Sequence, residues 1–347
     1  MKLIVQIPCY NEEGALRQTL ADIPRVIEGV DEVEILIVDD GSADLTVPLA
    51  LQLGVDHIVR HTNNKGLART FRSGVEAALG LGADIIVNTD GDNQYAGRDI
   101  PKLVQPILDG EADIVVGDRQ TDGISHFSPF KKALQRLGSR MVRLASGTRV
   151  PDTVSGFRAL SREAALQINI VSPFSYTIEM LIQAGRKGLA VASVPIATNA
   201  ATRESRLFKS VPQFLRCSVW TMLRMYSMYR PFKAFLLIGM GLSVAGLLPI
   251  LRFLYFYALD DGQGHVQSLI LGGVLLVIGL TTFLIGLLAD LIGFNRQLIE
   301  MTLEKVRRLE LTQGELDQAL AERADKEPRT GIRRDGARTS GTSRKTA

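Results

Sequence analysis

Cysteine is nearly absent from this chain of 347 residues, occurring only at Cys9 and Cys217. Two thiols so far apart supply neither a disulfide framework nor a cysteine-based metal site, and they fit a reducing compartment. Charge of one sign is lacking too. Forty Lys+Arg against 37 Asp+Glu leave a formal +3, too little to argue for nucleic acid as a partner. Histidine is scarce, with four residues, and none falls in a catalytic pattern: His57 and His61 flank a strand, His126 sits in a loop and His265 in a short polar turn. The first 230 residues contain no long apolar run. Met1 to Pro8 passes straight into polar residues without the apolar core and cleavage site of a signal peptide, so the expectation is a head that stays in the cytoplasm.

What is present is unevenly placed. Ala234 to Leu251 is 18 uncharged residues and continues through Arg252 to Leu259, and Ser268 to Ala289 is a second run. At about 1.5 Å per residue each approaches the hydrocarbon thickness of a bilayer. Their link, Asp260 to Gln267, has no Lys or Arg. Arg224, Arg230 and Lys233 precede the pair and Arg296, Lys305, Arg307 and Arg308 follow it. The positive-inside rule then predicts a hairpin with both ends cytoplasmic. Gly241 and Ala245 offer a small-xxx-small pair for helix packing. Phe208 to Tyr229, rich in Phe, Met and Tyr and carrying the sole Trp220 among Lys209, Arg216 and Arg224, suits helices lying at the interface. The expected organisation is a catalytic unit over 1–207, interfacial helices over 208–231, and transmembrane helices within 232–295, at about 234–259 and 268–291. A cytoplasmic helix and a disordered basic tail follow over 296–347.

In the head, short β-branched runs alternate with helical stretches. Leu3 to Ile7, Glu34 to Val38, His57 to Val59, Ile85 to Asn88 and Ile114 to Val116 read as strands; Gly14 to Ile27, Ala43 to Leu53, Leu67 to Leu81 and Ile100 to Leu108 read as helices. Such alternation predicts an α/β fold with a mostly parallel, Rossmann-like sheet that binds ligands at the carboxyl ends of its strands. Three polar clusters lie there: Tyr10-Asn11-Glu12, Asp39-Asp40-Gly41-Ser42 and Asp90-Gly91-Asp92-Asn93-Gln94. Asp90 and Asp92, one residue apart on a turn, are hard oxygen ligands suited to Mg²⁺ or Mn²⁺ beside a diphosphate. Asp-x-Asp alone is an ordinary turn sequence.

These clusters, together with Pro8, Asn64-Lys65-Gly66, Asp118-Arg119, Asp152 to Arg158 and Arg203 to Leu207, resemble in their order family 2 glycosyltransferases of the GT-A fold. The likeness extends to dolichyl phosphate mannose synthases and bacterial polyprenyl phosphate glycosyltransferases, and spans about residues 3 to 295. It implies inverting transfer from a nucleotide diphosphate sugar to a dolichyl or undecaprenyl phosphate, at the cytoplasmic face of the inner membrane. By the same resemblance Pro8, Tyr10, Glu12 and Asp39 line the base and ribose pocket, with Asn11, Asp40, Lys65, Gly66, Gly91 and Ser155 also at the substrate. Asp90 and Asp92 take the metal, Asp92 with Gln94 and Arg119 forming the catalytic set. Arg119, Arg158, Arg203 and Arg206 are candidates for phosphate recognition, and Ser205 is also placed at the substrate. Two departures from the family's commoner patterns are Gly91 as the middle residue of the metal motif and Arg203-Glu204-Ser205-Arg206 where Gly and Lys are frequent. Glu179 stands where related enzymes with hydroxyl acceptors place a base.

Two rivals stay open on the sequence. A processive polysaccharide synthase shares the N-terminal motifs, but its Gln-x-x-Arg-Trp motif is matched only by Gln213-Phe214-Leu215-Arg216-Cys217, without the Trp. A non-catalytic membrane scaffold with a nucleotide fold is opposed by the intact Asp39, Asp90 and Asp92. The donor base, the sugar and the oligomeric state, a homo-oligomer included, are left undecided.

Overall fold

The computed structural model describes residues 1–120, 138–140, 142–143, 146–171, 176–199, 231–259 and 265–326. Arg203, Ser205, Arg206, the interfacial segment Phe208 to Tyr229 and the tail Glu327 to Ala347 lie outside the described residues.

The elements run β1 (Lys2–Cys9), α1 (Glu13–Ala21), β2 (Glu32–Asp39), α2 (Thr46–Gln52), β3 (His57–Arg60), α3 (Leu67–Gly80), β4 (Ile85–Asn88), α4 (Ile100–Leu108) and β5 (Ile114–Asp118). They continue with β6 (Arg158–Ser161), α5 (Arg162–Gln167), α6 (Tyr176–Lys187), β7 (Val191–Pro195), α7 (Pro231–Ala258) and α8 (Val266–Lys326). Seven strands form one sheet in the order β3-β2-β1-β4-β6-β5-β7. The pairs β3-β2, β2-β1, β1-β4 and β5-β7 are parallel, while β6 runs antiparallel to both of its neighbours. The mostly parallel sheet expected from the alternation is therefore present. Three elements had no sequence signal strong enough to stand out: β6 has four residues and opens on an arginine, α5 has six residues, and β7 is a half-buried edge ending in Pro195.

Strand alternation sends Leu3, Val5 and Ile7 into one core with Leu16, Ile100 and Leu103, and Ile4 into the other with Phe71, Val75 and Leu181. Burial on both faces is why β1 and β2 read as continuous apolar runs. Gln6 is the exception in β1. It is fully buried, and its Nε2 donates to Asn88 Oδ1 at 2.9 Å across the strand pair.

The two C-terminal helices are a different material. Only 11% of the apolar window in α7 and 17% of that in α8 is buried, so these are not core helices of a soluble protein, and their length and composition point to membrane association. They pack on each other through small residues. A Cβ on Gly239 would lie 2.8 Å from the carbonyl oxygen of Gly279, and one on Gly246 equally close to that of Gly272. Gly241 and Ala245 are exposed, and Gly241 has open space around it. The packing pair expected from sequence is thus on the wrong side of α7; the contact stripe is Gly239, Ser243, Gly246 and Ile250.

Helix α8 does not stop at its apolar end but continues unbroken to Lys326. Its extension docks on the head along one face. Arg296 Nη2 lies 3.8 Å from Glu179, Glu300 lies 3.9 Å from Lys187, Arg307 lies 3.3 Å from Glu76, Arg308 pairs with Glu163, and Leu311 packs on the core. These positions follow one another at steps of four, seven, one and three residues, which at about 3.6 residues per turn keeps them on one broad face of the helix.

Candidate active site

Parallel register brings the three polar clusters together. Cys9 pairs with Asp39, so the loops after β1 and β2 leave the sheet side by side. They are stitched by side chain to backbone bonds: Ser42 Oγ accepts from Asn11 N and Thr46 Oγ1 from Glu12 N, both at 2.9 Å, while Asn11 Oδ1 accepts from Ala43 N at 2.9 Å. Asn11, at φ 55°, takes the left-handed turn that asparagine tolerates. Pro8, Glu12 and Asp39 are buried, whereas Tyr10 is 41% exposed at the rim. Asp39 accepts long bonds from Ser42 N, at 3.2 and 3.3 Å, and faces Arg60 Nε at 3.3 Å.

The Asp90–Gln94 loop crosses the end of β1. Gly91 sits where a Cβ would come within 3.0 Å of Cys9 Sγ and 3.3 Å of both Glu12 Cγ and Pro8 O, and its carbonyl accepts from Thr19 Oγ1 at 3.1 Å. This close approach accounts for glycine between the two aspartates. Asp90 and Asp92 are half-buried; Gln94 N donates to Asp92 Oδ1 at 3.2 Å, and Asn93 turns the loop at φ 58°. Behind Asp90, both carboxylate oxygens lie 3.2 Å from the Cβ position of Gly156, and Tyr176 Oη lies 3.0 Å from it.

Buried phenols and amides hold that wall. Gly156 N donates to Tyr95 Oη at 2.9 Å, and Asn88 Nδ2 donates to Gly156 O at 2.8 Å and to Tyr176 Oη at 3.1 Å. Burial, and then the Asp90 charge, push the Tyr95 phenol up to about 12 and the Tyr176 phenol well above its usual value, so both stay protonated beside Asp90. Arg119 grips Asp152 with two parallel bonds, at 2.6 and 3.0 Å. Burial by itself would lower its pKa, but the Asp152 and Asp90 carboxylates, joined by Tyr95 only once that phenol ionises at high pH, raise it, and the guanidinium remains a fixed cation next to the Asp90 carboxylate. Asn88, Tyr95 and Tyr176 were not singled out from sequence, and Asp152 and Gly156 entered only within the Asp152 to Arg158 segment, without a role of their own. The signal available was polar residues inside apolar strands and helices.

Two expected substrate contacts are corrected. Arg158 is fully buried, and its guanidinium donates to Ser155 O at 2.8 Å, Thr177 O at 2.7 Å and Thr153 O at 2.9 Å. Burial pushes its pKa down to about 10, and with its donors spent on carbonyls it fixes the 153–156 turn instead of meeting a phosphate. Asp40 is likewise spoken for: it accepts from Lys65 N at 2.8 Å, Gly66 N at 2.9 Å and His61 Nδ1 at 2.8 Å, and so clamps the entry to α3. Lys65 keeps an exposed side chain, and Gly66 takes φ +89°. The buried Ser155 hydroxyl has no hydrogen-bond partner among the described residues. Glu179 is fully buried, accepting from Val171 N at 3.1 Å beside Arg296, and does not open on the crevice.

The chain returns to the Asp90–Gln94 loop at the far edge. Asn199 N donates to Gln94 O at 2.9 Å, Asn199 Nδ2 to Asn93 O at 3.1 Å, and Ala197 N to Asp99 Oδ2 at 2.7 Å.

Among the described residues no three His, Cys, Asp or Glu side chains converge to hold a metal. Two carboxylates one residue apart still fit Mg²⁺ or Mn²⁺, ions that keep open positions for diphosphate oxygens rather than occupying an all-protein cage.

An open sheet with carboxylates gathered at its switch point, attached to two apolar helices, defines an α/β protein with a ligand crevice and a segment suited to membrane association. The chain belongs to glycosyl transferase family 2, whose family model matches residues 4–168. It is 34% identical over 207 residues to a dolichyl-phosphate hexose transferase of Haloferax volcanii, a match covering 59% of this chain and 86% of that protein. It is 33% identical over 226 residues to a dolichol-phosphate mannosyltransferase of Pyrococcus furiosus, covering 62% of each. Among solved structures, glucosyl-3-phosphoglycerate synthase from Mycobacterium tuberculosis, in complex with Mn²⁺, UDP-glucose and phosphoglyceric acid, is similar with a TM-score of 0.51 at 23% identity. That match covers 65% of this chain and 79% of that one, and shows the shared GT-A-like fold. The chain is a glycosyltransferase.

Proposed function

We propose that this enzyme transfers a sugar, with inversion, from a nucleotide diphosphate sugar to a polyprenyl phosphate at the cytoplasmic face of the membrane holding α7 and α8. The observation that carries the reading is the half-buried Asp90–Asp92 pair, backed by Arg119 and shared with the stitched β1 and β2 loops, in a chain that also owns a lipid-suited hairpin.

Asp90 and Asp92 would hold Mg²⁺ or Mn²⁺, which when bound supplies positive charge to the leaving diphosphate. Pro8, Tyr10, Glu12 and Asp39 receive the nucleoside, and Gln94 stands at the sugar end. A phosphate monoester has a second pKa near 6, so the acceptor is largely a dianion at neutral pH and needs no strong base. The side chains agree with that. Glu179 is buried against Arg296 and Gln183, and His61 is engaged by Asp40 and Ser73, so neither is placed to deprotonate a hydroxyl acceptor.

Arg203 and Arg206 are assigned to the acceptor phosphate. Asn199 is bonded to the Asn93–Gln94 loop, and Arg203 follows it by four residues in the sequence. Arginine suits the task because its planar fork donates two bonds to one phosphate.

The test is to incubate the purified full chain with polyprenyl phosphate, Mn²⁺ and a panel of uridine and guanosine diphosphate sugars. One donor should yield a lipid-linked monosaccharide of inverted configuration. A polymer, or sugar appearing only on water, would refute the assignment.

A further inference from the structure

A cleft of about 280 Å³ beside α3 is lined by Lys65, Ala68, Arg69, Arg72, Ile170 and Val171. Arg69 and Arg72, three residues apart on α3, share one side of the helix, and Lys65 stands two residues before its start. Lys65 and Arg69 have no ion pair among the described residues, and Arg72 has only Glu76 at 3.5 Å. Val171, on the other wall, is 60% exposed. The cleft therefore sets basic groups against an apolar rim.

Helix α8 tells which way this cleft faces. It runs unbroken from its apolar segment into the head, so each residue beyond Leu291 lies about 1.5 Å farther from the bilayer. Arg296, near the bilayer, meets Glu179 of α6; Arg307, about 16 Å farther along the helix, meets Glu76 of α3. Tyr176, one turn before Glu179, stacks on Phe71 at 4.1 Å. Helix α3 thus runs in the same sense as α8, with Phe71 nearer the membrane than Glu76. Lys65, Arg69 and Arg72 are at its bilayer-facing end.

We propose that this cleft seats the phosphate headgroup of an anionic bilayer lipid, with Val171 against the lipid's upper apolar part. Two basic groups lacking acidic partners, an exposed apolar residue and the headgroup level are the chemistry such a lipid requires. Bound there, the lipid fixes the tilt of the head and hence of the crevice above the membrane. The proposal rests on α7 and α8 lying in a bilayer, and not on which donor or acceptor is used.

The experiment uses the full chain in nanodiscs, with Cys217→Ser to leave buried Cys9 as the only native thiol, and a spin label on Val171→Cys. Collision with a headgroup-linked nickel chelate should rise severalfold when phosphatidylglycerol is mixed into phosphatidylcholine. Arg69→Glu, and separately the milder Arg69→Gln, should abolish the rise. Equal collision rates in both lipids, or a rise that survives both variants, would overturn the proposal. So would loss of the rise on adding soluble glycerol phosphate, since the cleft would then be a site for free phosphate. A second label on Leu271→Cys in α8 reports the hairpin itself: if it collides with an aqueous relaxant, the membrane reading has failed, whereas failure of sugar transfer moves neither label.

Discussion

The two halves of the sheet reach the same crevice by different means. In the parallel half, β3-β2-β1-β4, each functional loop directly follows its strand, and neighbouring loops hold each other through Ser42, Thr46 and Asn11. In the half built on β6, β5 and β7, the wall of the site is carried by buried groups: Arg158 on the Thr153, Ser155 and Thr177 carbonyls, Arg119 on Asp152, and Tyr95 and Tyr176 on Gly156. The first half presents ligand groups. The second fixes where they point.

The largest effect should fall on the presenting half. Asp92→Asn keeps the shape but removes a charge needed opposite a metal and diphosphate, and should lower kcat by roughly 100-fold or more while leaving the melting temperature near its original value. A melting temperature shifted as far as the activity would erase the distinction between the halves.

Arg158→Met tests the other side. Three carbonyls lose their donor in a dry interior, so a loss of roughly 3 kcal/mol or more of folding stability is expected, seen in denaturant unfolding of the head. The metal requirement of the fraction that folds should be unchanged. A selective rise in the KM for the nucleotide sugar, with stability intact, would return Arg158 to the phosphate role first expected of it.

Legibility in the sequence follows the same division. Asp39, Asp90 and Asp92 stood out because a carboxylate cluster after an apolar strand is a local pattern, and the parallel strands could be placed nearly to the residue: Ile85 to Asn88 was read and β4 occupies the same span. Arg158 was misjudged because an arginine in a motif gives no local sign of burial; only β6, four residues long and antiparallel, puts it under Thr177. Asp40 was misjudged likewise, since its partners Lys65 and Gly66 are about 25 residues away. The continuation of α8 was half visible, as a helical stretch after the second apolar run, but its docking depends on Glu163, Glu179 and Lys187, which nothing in sequence joins to it.

A smaller effect is expected at the acceptor side. Arg203→Ala or Arg206→Ala should weaken apparent affinity for polyprenyl phosphate by about 1–3 kcal/mol, with little change for the nucleotide sugar, and Lys at either position should restore part of it. Titrating each substrate at saturation of the other decides this. A change confined to the nucleotide sugar would put these residues on the donor side.

The smallest concerns Asp99, which ties the 196–199 segment to the start of α4. Burial opposes its charge, but the bond from Ala197 N and the ion pair with Lys102 outweigh this and hold its pKa below the usual aspartate value. A depressed carboxylate stabilises the fold fully above its unfolded value and loses that contribution as pH falls through the folded one. Protection of the Ala197 amide from exchange, relative to an unstructured amide at the same pH, should therefore hold down to about pH 4 and fall below it, while Asp99→Asn should show the lower protection at every pH. Indifference to both changes would mean that the segment is held by other contacts.

The central claim is that Asp90 and Asp92 form an incomplete metal site that the donor's diphosphate completes. Calorimetric titration of Mn²⁺ into the full chain, with and without UDP or GDP, tests it most directly. The account predicts weak binding to the protein alone, binding tightened at least about tenfold by one of the two nucleotides, and loss of that tightening in Asp92→Asn. Tight Mn²⁺ binding without nucleotide, or a tightening that persists in Asp92→Asn, would contradict it.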